Sequence, residues 1–318
     1  MTAIQSVCGP VAPAALGHCQ IHEHIFVHPT PMARKNPALR IDSFGLSLRE
    51  LERYRAAGGA ALVDAQPVAA GRDAGMLEQL SRESGVTILA STGYHLLGFY
   101  AQDSWVHTLD GDALYKLYRG EIETGMLPHS PDPSQRPTVP SSIRAGMVKA
   151  AIPAEGPVGR YAVLLRAAAR AAADTGVPLM LHTERGQEAE TAIRLCLDAG
   201  ARPEKLVVCH VDRQAADWGP HDAIAAAGVY LDYDTVGRFK YHSDEEEITL
   251  LRHMAEAGYG GQILLSLDTT AARLTAYGGE MGLDYLFTSF LPRLEQAGFS
   301  REAVRAFCGE NCRRLLMA

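Results

Sequence analysis

The chain has 318 residues, of which 47% are hydrophobic and 21% charged, with a formal net charge of -7 and a pI near 5.9. That balance belongs to a globular protein with a sizeable core and excludes a disordered chain, and the acidic excess offers no basic stripe to a nucleic-acid backbone. The most apolar helical stretch, residues 162–173, is interrupted by Arg166 and Arg170, so no run reaches the roughly 20 residues of a membrane span.

In chain order, the N-terminal MTAIQSVCGP lacks a basic region followed by an apolar core, so no export signal is expected and the location expected is cytoplasmic. Short β-rich runs then recur at residues 16–24, 60–67, 86–94, 145–152, 178–184, 206–212, 229–234 and 263–268, each followed by a longer stretch of helical character. Eight strands alternating with helices predict βα units, a parallel sheet and a closed (β/α)8 TIM barrel, an α/β fold. The helices carry sensible punctuation. In GRDAGMLEQLSRESG, Met76, Leu77 and Leu80 form an apolar stripe that Gly85 ends, and the helical stretch 160–175 stops at Gly176. No linker divides the chain, so residues 1–318 are expected to be one domain.

Two segments exceed a minimal barrel. Residues 28–48 form a long loop after the first strand, and residues 95–144 combine a helix around 111–126 with the Pro-rich PHSPDPSQRPTVP. Long loops at the C-terminal ends of barrel strands are where specificity is built. The six cysteines, Cys8, Cys19, Cys196, Cys209, Cys308 and Cys312, are scattered, and free thiols in a reducing compartment are expected; only Cys308 and Cys312 are close enough to suggest a pair.

His22 and His24 in GHCQIHEHIF stand two apart at the end of the first strand, where alternation points both inward. Alone, such a pair does not separate metal ligands from two core histidines. The weight comes from the ends of other strands, which carry Lys149 in AGMVKAAI, His182 in PLMLHTE, His210 in LVVCHVD and Asp268 in ILLSLD. A closed barrel brings such ends to one mouth. Neutral imidazole and carboxylate oxygen suit zinc and related divalent ions, and the absence of a cysteine cluster argues against a closed structural zinc site. An ammonium at Lys149 would be repelled by such ions. Carboxylation by carbon dioxide removes the conflict, because a carbamate is anionic and offers one oxygen to each of two ions roughly 3.5–4 Å apart. The other reading of Lys149 is an ordinary buried or salt-bridged lysine.

The ordered set of HEHIF, LASTGYH, the strand-four lysine, LHTE, VVCHVD, LSLD, YGG and YLFTSFLPRL resembles the phosphotriesterase family of the amidohydrolase superfamily over essentially the whole chain. The resemblance implies that His22, His24 and Asp268 hold the more buried of two divalent metals, and His182 and His210 the more exposed. It implies further that carboxylated Lys149 and a nucleophilic hydroxide bridge them, and that Asp268 carries a proton to the leaving group. Some relatives carry glutamate in place of the lysine. The family hydrolyses organophosphate triesters, lactones including acyl-homoserine lactones, and phosphorylated sugar lactones, and its resemblance suggests a homodimer.

Local residues arbitrate among these substrates. YDTVGRFKYHSDEE after the seventh strand places Arg238, Lys240 and Tyr241 in a mouth loop, and Arg273 follows Asp268 by five residues, resembling the subgroup associated with phosphorylated sugar lactones. These positions match the usual phosphate site of barrels. Alternatively Arg238 and Lys240 are solvated charges balancing Asp244, Glu245, Glu246 and Glu247, and Arg273 is part of a structural pair. Tyr94, at the end of the third strand, either orients the substrate or bridging hydroxide or simply packs. Asp212 and Arg213 are open to a supporting role or a loop salt bridge, and among the remaining histidines His95 is the one not readily dismissed as surface. The expected function is therefore a binuclear metal lactonase acting on a small lactone, by preference a phosphorylated sugar lactone. Phe99, Tyr100 and Trp105 in the third loop keep open a phosphotriesterase or acyl-homoserine-type lactonase for neutral, apolar substrates. A non-catalytic binding barrel is the third reading, against which all six ligands are present.

Overall fold

Within each β-rich segment, alternate residues fall into two apolar sets, and burying both requires a sheet covered on each face. The computed structural model describes residues 3–317. Its strands are β1 (Ile4–Ser6), β2 (Gly9–Val11), β3 (His18–Glu23), β4 (Gly59–Asp64), β5 (Thr87–Gly93), β6 (Met147–Ala151), β7 (Leu179–His182), β8 (Leu206–Cys209), β9 (Tyr230–Tyr233) and β10 (Ile263–Leu265). Strands β3 to β10 pair in sequential order and in parallel. The two edges meet where the amide of Asp268 donates to the His22 carbonyl at 3.1 Å, so the sheet curls into a nearly closed eight-stranded barrel.

One apolar set fills the barrel, including Ile21, Val63, Leu89, Met147, Met180 and Val207. The other, including Leu62, Ile88, Val148, Leu181, Val208 and Leu231, packs against helix residues such as Leu77, Leu164 and Leu250. Helix Arg160–Thr175 coincides with the expected one and ends at Gly176, whose φ of 75° is a left-handed cap that glycine adopts without a Cβ penalty. Helix Asp244–Glu256 begins with a full capping box between Ser243 and Glu246. Among the described residues no helix is long and apolar enough to cross a membrane, and all six cysteines are free thiols.

Several boundaries differ from the sequence reading. The first barrel strand begins at His18, because Pro13–Leu16 is a 3-10 turn and Gly17, at φ 52°, lies against Ala60. The hairpin β1–β2 was not expected; with Leu16, Leu315 and Leu316 its Ile4 joins the interior of the barrel. The third-loop helix, Gly111–Glu123, stops before the expected 126 because Met126 leaves it to donate to the Ile143 carbonyl at 2.7 Å. That helix is tied to the barrel by Glu121, which takes Arg72 in a buried two-pronged pair at 2.7 and 2.6 Å and accepts from Thr92 Oγ1 at 2.6 Å.

Candidate metal centre

The first pair of histidines owes its placement to a bulge. Gln20 pairs with Leu62 and Glu23 with Asp64, so three steps along β3 oppose two along β4. Ile21 therefore stays in the barrel interior while His22 and His24 both face the mouth. Ser266 stabilises the irregularity, its Oγ accepting from the amides of Ile21 and His22 at 3.0 and 3.2 Å and donating to Asp232 Oδ1 at 2.9 Å.

The other strand ends add to the cluster. Lys149 lies within β6, His182 closes β7, and His210 follows β8 directly. His210 and Asp268 hold φ of 69° and 47°, left-handed values that non-glycine residues seldom adopt and that collect at functional sites. Glu23 fixes the turn at Asp268, accepting from the amides of Leu267 at 2.7 Å and Thr269 at 3.1 Å. Asp268 Oδ1 then stands 3.6 Å from His24 Nε2 and 3.8 Å from His22 Nε2, three groups close enough to share one ion. His210 Nε2 lies 2.7 Å from His182 Nδ1, and Lys149 Nζ lies 2.9 Å from His22 Nε2.

Asp234, which the sequence reading did not single out, organises this cluster. Its two carboxylate oxygens accept from His22 Nδ1 at 2.9 Å and from His210 Nδ1 at 2.7 Å. A carboxylate on Nδ1 fixes the proton there and leaves Nε2 as a lone pair. Both Nε2 atoms consequently present lone pairs toward Lys149 and His182, groups that are themselves basic. Asp232 and Asp234, two apart in YLDYD, share the spacing of His22 and His24, and that repetition was the available signal.

Electrostatics agree with a cation-binding purpose. Burial, followed by the charge on Lys149, holds His22 well below the usual imidazole range. Burial lowers His24 to about 3, and it also lowers His182 and His210, so four imidazoles are in the neutral form that metals require. Burial also lowers the Lys149 amine. Against the opposing effect of burial, the guanidinium charges of Arg238 and Arg213 keep Asp268 ionised well below the ordinary carboxylate range. Asp234 rises to about 7 through burial and the neighbouring Asp268. Neutral imidazoles, crowded buried carboxylates and a buried lysine whose amine is lowered from its usual range fit divalent cations in both donor type and charge.

A cavity of about 340 Å³ opens over these groups, lined among others by His24, His95, His182, Arg213, Tyr241 and Asp268. Arg238 also lines it and pairs with Asp268 Oδ2 at 2.9 Å, while Arg213 approaches the same oxygen at 3.4 Å. Tyr241 receives Arg213 and Lys240 over its ring at 5.2 and 4.6 Å. Two expected substrate contacts stand elsewhere. Arg273 is half-buried, donating to the carbonyls of Leu267 and Val236, and with Lys240 it borders a neighbouring cavity formed around residues 237–240 and 278–281. Tyr94 requires correction: its ring lies in the outer layer among the helices, with an Oη that has no partner. One residue on, His95 takes the inward position, stacked on Phe99 at 3.6 Å and 5.7 Å from the His182 ring. A larger cavity of about 530 Å³ between the first and third loops touches the mouth at Thr30 and Phe99 but contains none of the strand-end ligands.

A parallel eight-stranded barrel whose strands bring four imidazoles, a buried lysine and a carboxylate to one mouth has the architecture of a metal-dependent barrel hydrolase. A profile described as the phosphotriesterase family matches residues 2–316, and the chain belongs to that family. It is 28% identical over 324 residues to a phospho-furanose lactonase of Mycoplasmopsis synoviae (strain 53), covering 98% of this chain and 91% of the relative. It is also 27% identical over 355 residues to an N-acetyltaurine hydrolase of Salmo salar, covering 98% of this chain and 97% of that one. The crystal structure of an amidohydrolase from Mycoplasma synoviae superposes with a TM-score of 0.92 at 27% identity, covering 99% of this chain and 92% of that chain.

Proposed function

We propose that this ester-hydrolysing enzyme is a lactonase that opens a small lactone bearing a phosphate group to the corresponding hydroxy acid. The observation that carries the reading is the lone-pair geometry imposed by Asp234 on His22 and His210, over a mouth that also gathers Arg213, Arg238 and Tyr241. His22, His24 and Asp268 would hold one divalent ion, His182 and His210 another, with Lys149 as a carbamate between them; zinc suits this donor set. When bound, two such ions acidify water and polarise a carbonyl oxygen. The chain's own groups do the rest. The buried Lys149 amine, lowered from its ordinary range by burial, would attack carbon dioxide in its free-base form, forming an N–C bond while one C–O π bond opens onto oxygen and a proton is released. Asp268, kept ionised by Arg238 and Arg213, can accept a proton and pass it to the leaving alkoxide. Arg213 and Arg238, backed by Tyr241, offer donors to an anion at the rim.

A phospho-furanose lactonase among the relatives supports this substrate class. The test is a comparison of kcat/KM for sugar lactones with and without a phosphate, alongside an acyl lactone and an organophosphate triester. A preference for the phosphate of tenfold or more, lost in Tyr241→Phe and Arg238→Met, is expected; equal rates with and without phosphate would refute the anion reading. A second reading, hydrolysis of neutral apolar lactones or triesters, is favoured by the adjoining 530 Å³ cavity with Phe99 and Trp105 in its wall, and would appear as faster turnover of the acyl lactone or triester. Free thiols suit action in the cytoplasm. The family resemblance supports a homodimer, which sedimentation would test.

A further inference from the structure

Beneath the loop that follows β9 lies a second polar cluster, apart from the barrel mouth. Asp212, His242 and Glu247 are 0%, 5% and 0% exposed. Their donor atoms all lie within 4.8 Å of one another. Thr235 donates to Asp212 Oδ2 through its amide at 2.6 Å and its hydroxyl at 2.7 Å, and its Oγ1 lies 3.0 Å from His242 Nε2. That leaves Asp212 Oδ1 and both Glu247 oxygens buried without a hydrogen-bond partner. His242 Nε2 comes within 3.3 Å of Glu247 Oε2 but is aligned on Thr235 instead. Among the described residues no lysine or arginine pairs with either carboxylate. The adjacent Asp244 shows the contrast, since it takes Arg293 at 2.6 Å, Tyr285 Oη at 2.7 Å and the Gly237 amide at 3.1 Å.

We propose that Asp212, Glu247 and His242, with the Thr235 hydroxyl, hold a third divalent cation that is structural and separate from the mouth. Two carboxylates balance its charge, a neutral imidazole completes the set, and mixed oxygen and nitrogen donors favour zinc or manganese over calcium or magnesium. Metal–ligand distances of about 2.0–2.2 Å in tetrahedral geometry set donors about 3.3–3.6 Å apart, so a cluster whose donors lie within 4.8 Å of one another has to draw inward on the ion. The ion would tie helix Asp244–Glu256 to the base of the loop carrying Arg238 and Tyr241. This inference does not rest on the lactonase reading, because Asp234 turns both its oxygens the other way, to His22 and His210.

The decisive experiment is anomalous diffraction from crystals of the whole wild-type chain soaked in millimolar manganese or zinc. A peak among Asp212, His242 and Glu247 is expected; a water or empty density there, with ions only at the mouth, overturns the proposal. Equilibrium dialysis gives a second reading: Glu247→Gln is expected to bind one equivalent less than wild type, and an unchanged count contradicts it. Should that variant fail to fold, the wild-type map alone decides.

Discussion

Replacing Asp234 by asparagine would expose how far the histidines depend on one carboxylate. Asp234 accepts from His22 and His210 through charge-assisted bonds of 2.9 and 2.7 Å, both fully buried. Asparagine keeps one acceptor oxygen and presents an N–H to the other imidazole, which must either lose its bond or move its proton to Nε2, where a metal would bind. The loss is one charge-assisted hydrogen bond, about 1.5–3 kcal/mol, which at 1.4 kcal/mol per decade corresponds to on the order of 10- to 100-fold in metal affinity. Asp268 and Asp232 crowd Asp234, so removing its charge should leave the melting temperature of chelator-treated protein unchanged or higher. The assay is competition with a chromophoric chelator on refolded wild type and variant, followed by kcat/KM on a lactone. Wild-type affinity and activity in Asp234→Asn would refute the lone-pair argument; a collapse in melting temperature would show that Asp234 holds the fold instead.

Other substitutions address separate parts of the account. Lys149→Met should abolish turnover and weaken metal binding at least tenfold, while Lys149→Glu, which restores an anion, should recover measurable activity; equal behaviour of the two variants would count against a carbamate. Tyr94→Phe removes an unpartnered hydroxyl from the outer core, so stability should hold or rise by up to about 1 kcal/mol with kcat/KM unchanged. A tenfold fall in kcat/KM would return Tyr94 to the site. Gly93→Ala should be costly, because φ is 101° and a Cβ would run into the Lys149 carbonyl. A loss on the order of 3 kcal/mol in denaturant melts is expected, together with weaker metal binding.

The barrel was legible because its signals are local and repeated: alternating apolar runs, helices stopped by Gly85 and Gly176, and polar groups where the strands end. Four of the metal-binding candidates stood at such ends, and His22 with His24 reached the same face only with the help of a bulge that no pattern in GHCQIHEHIF announces. Tyr94 shows how fragile parity is, since one residue separates the inward face from the helix layer; counting from the interior Leu89 through Ser91 and Gly93 would have reached His95. Asp234 was visible in principle as the second aspartate of YLDYD. The path of the chain after Asp268 was not, because loops have no period, and Arg273 turns back to bind the carbonyls of Leu267 and Val236. The hairpin β1–β2 is too short for alternation to register, at three residues a strand.

The central claim is that hydrolysis depends on divalent ions held at the strand ends. Lactone hydrolysis should be followed on chelator-stripped protein before and after divalent cations are restored, in wild type and in His22→Ala. No turnover is expected when stripped, with recovery in wild type and none in His22→Ala; hydrolysis that survives complete metal removal would contradict this dependence.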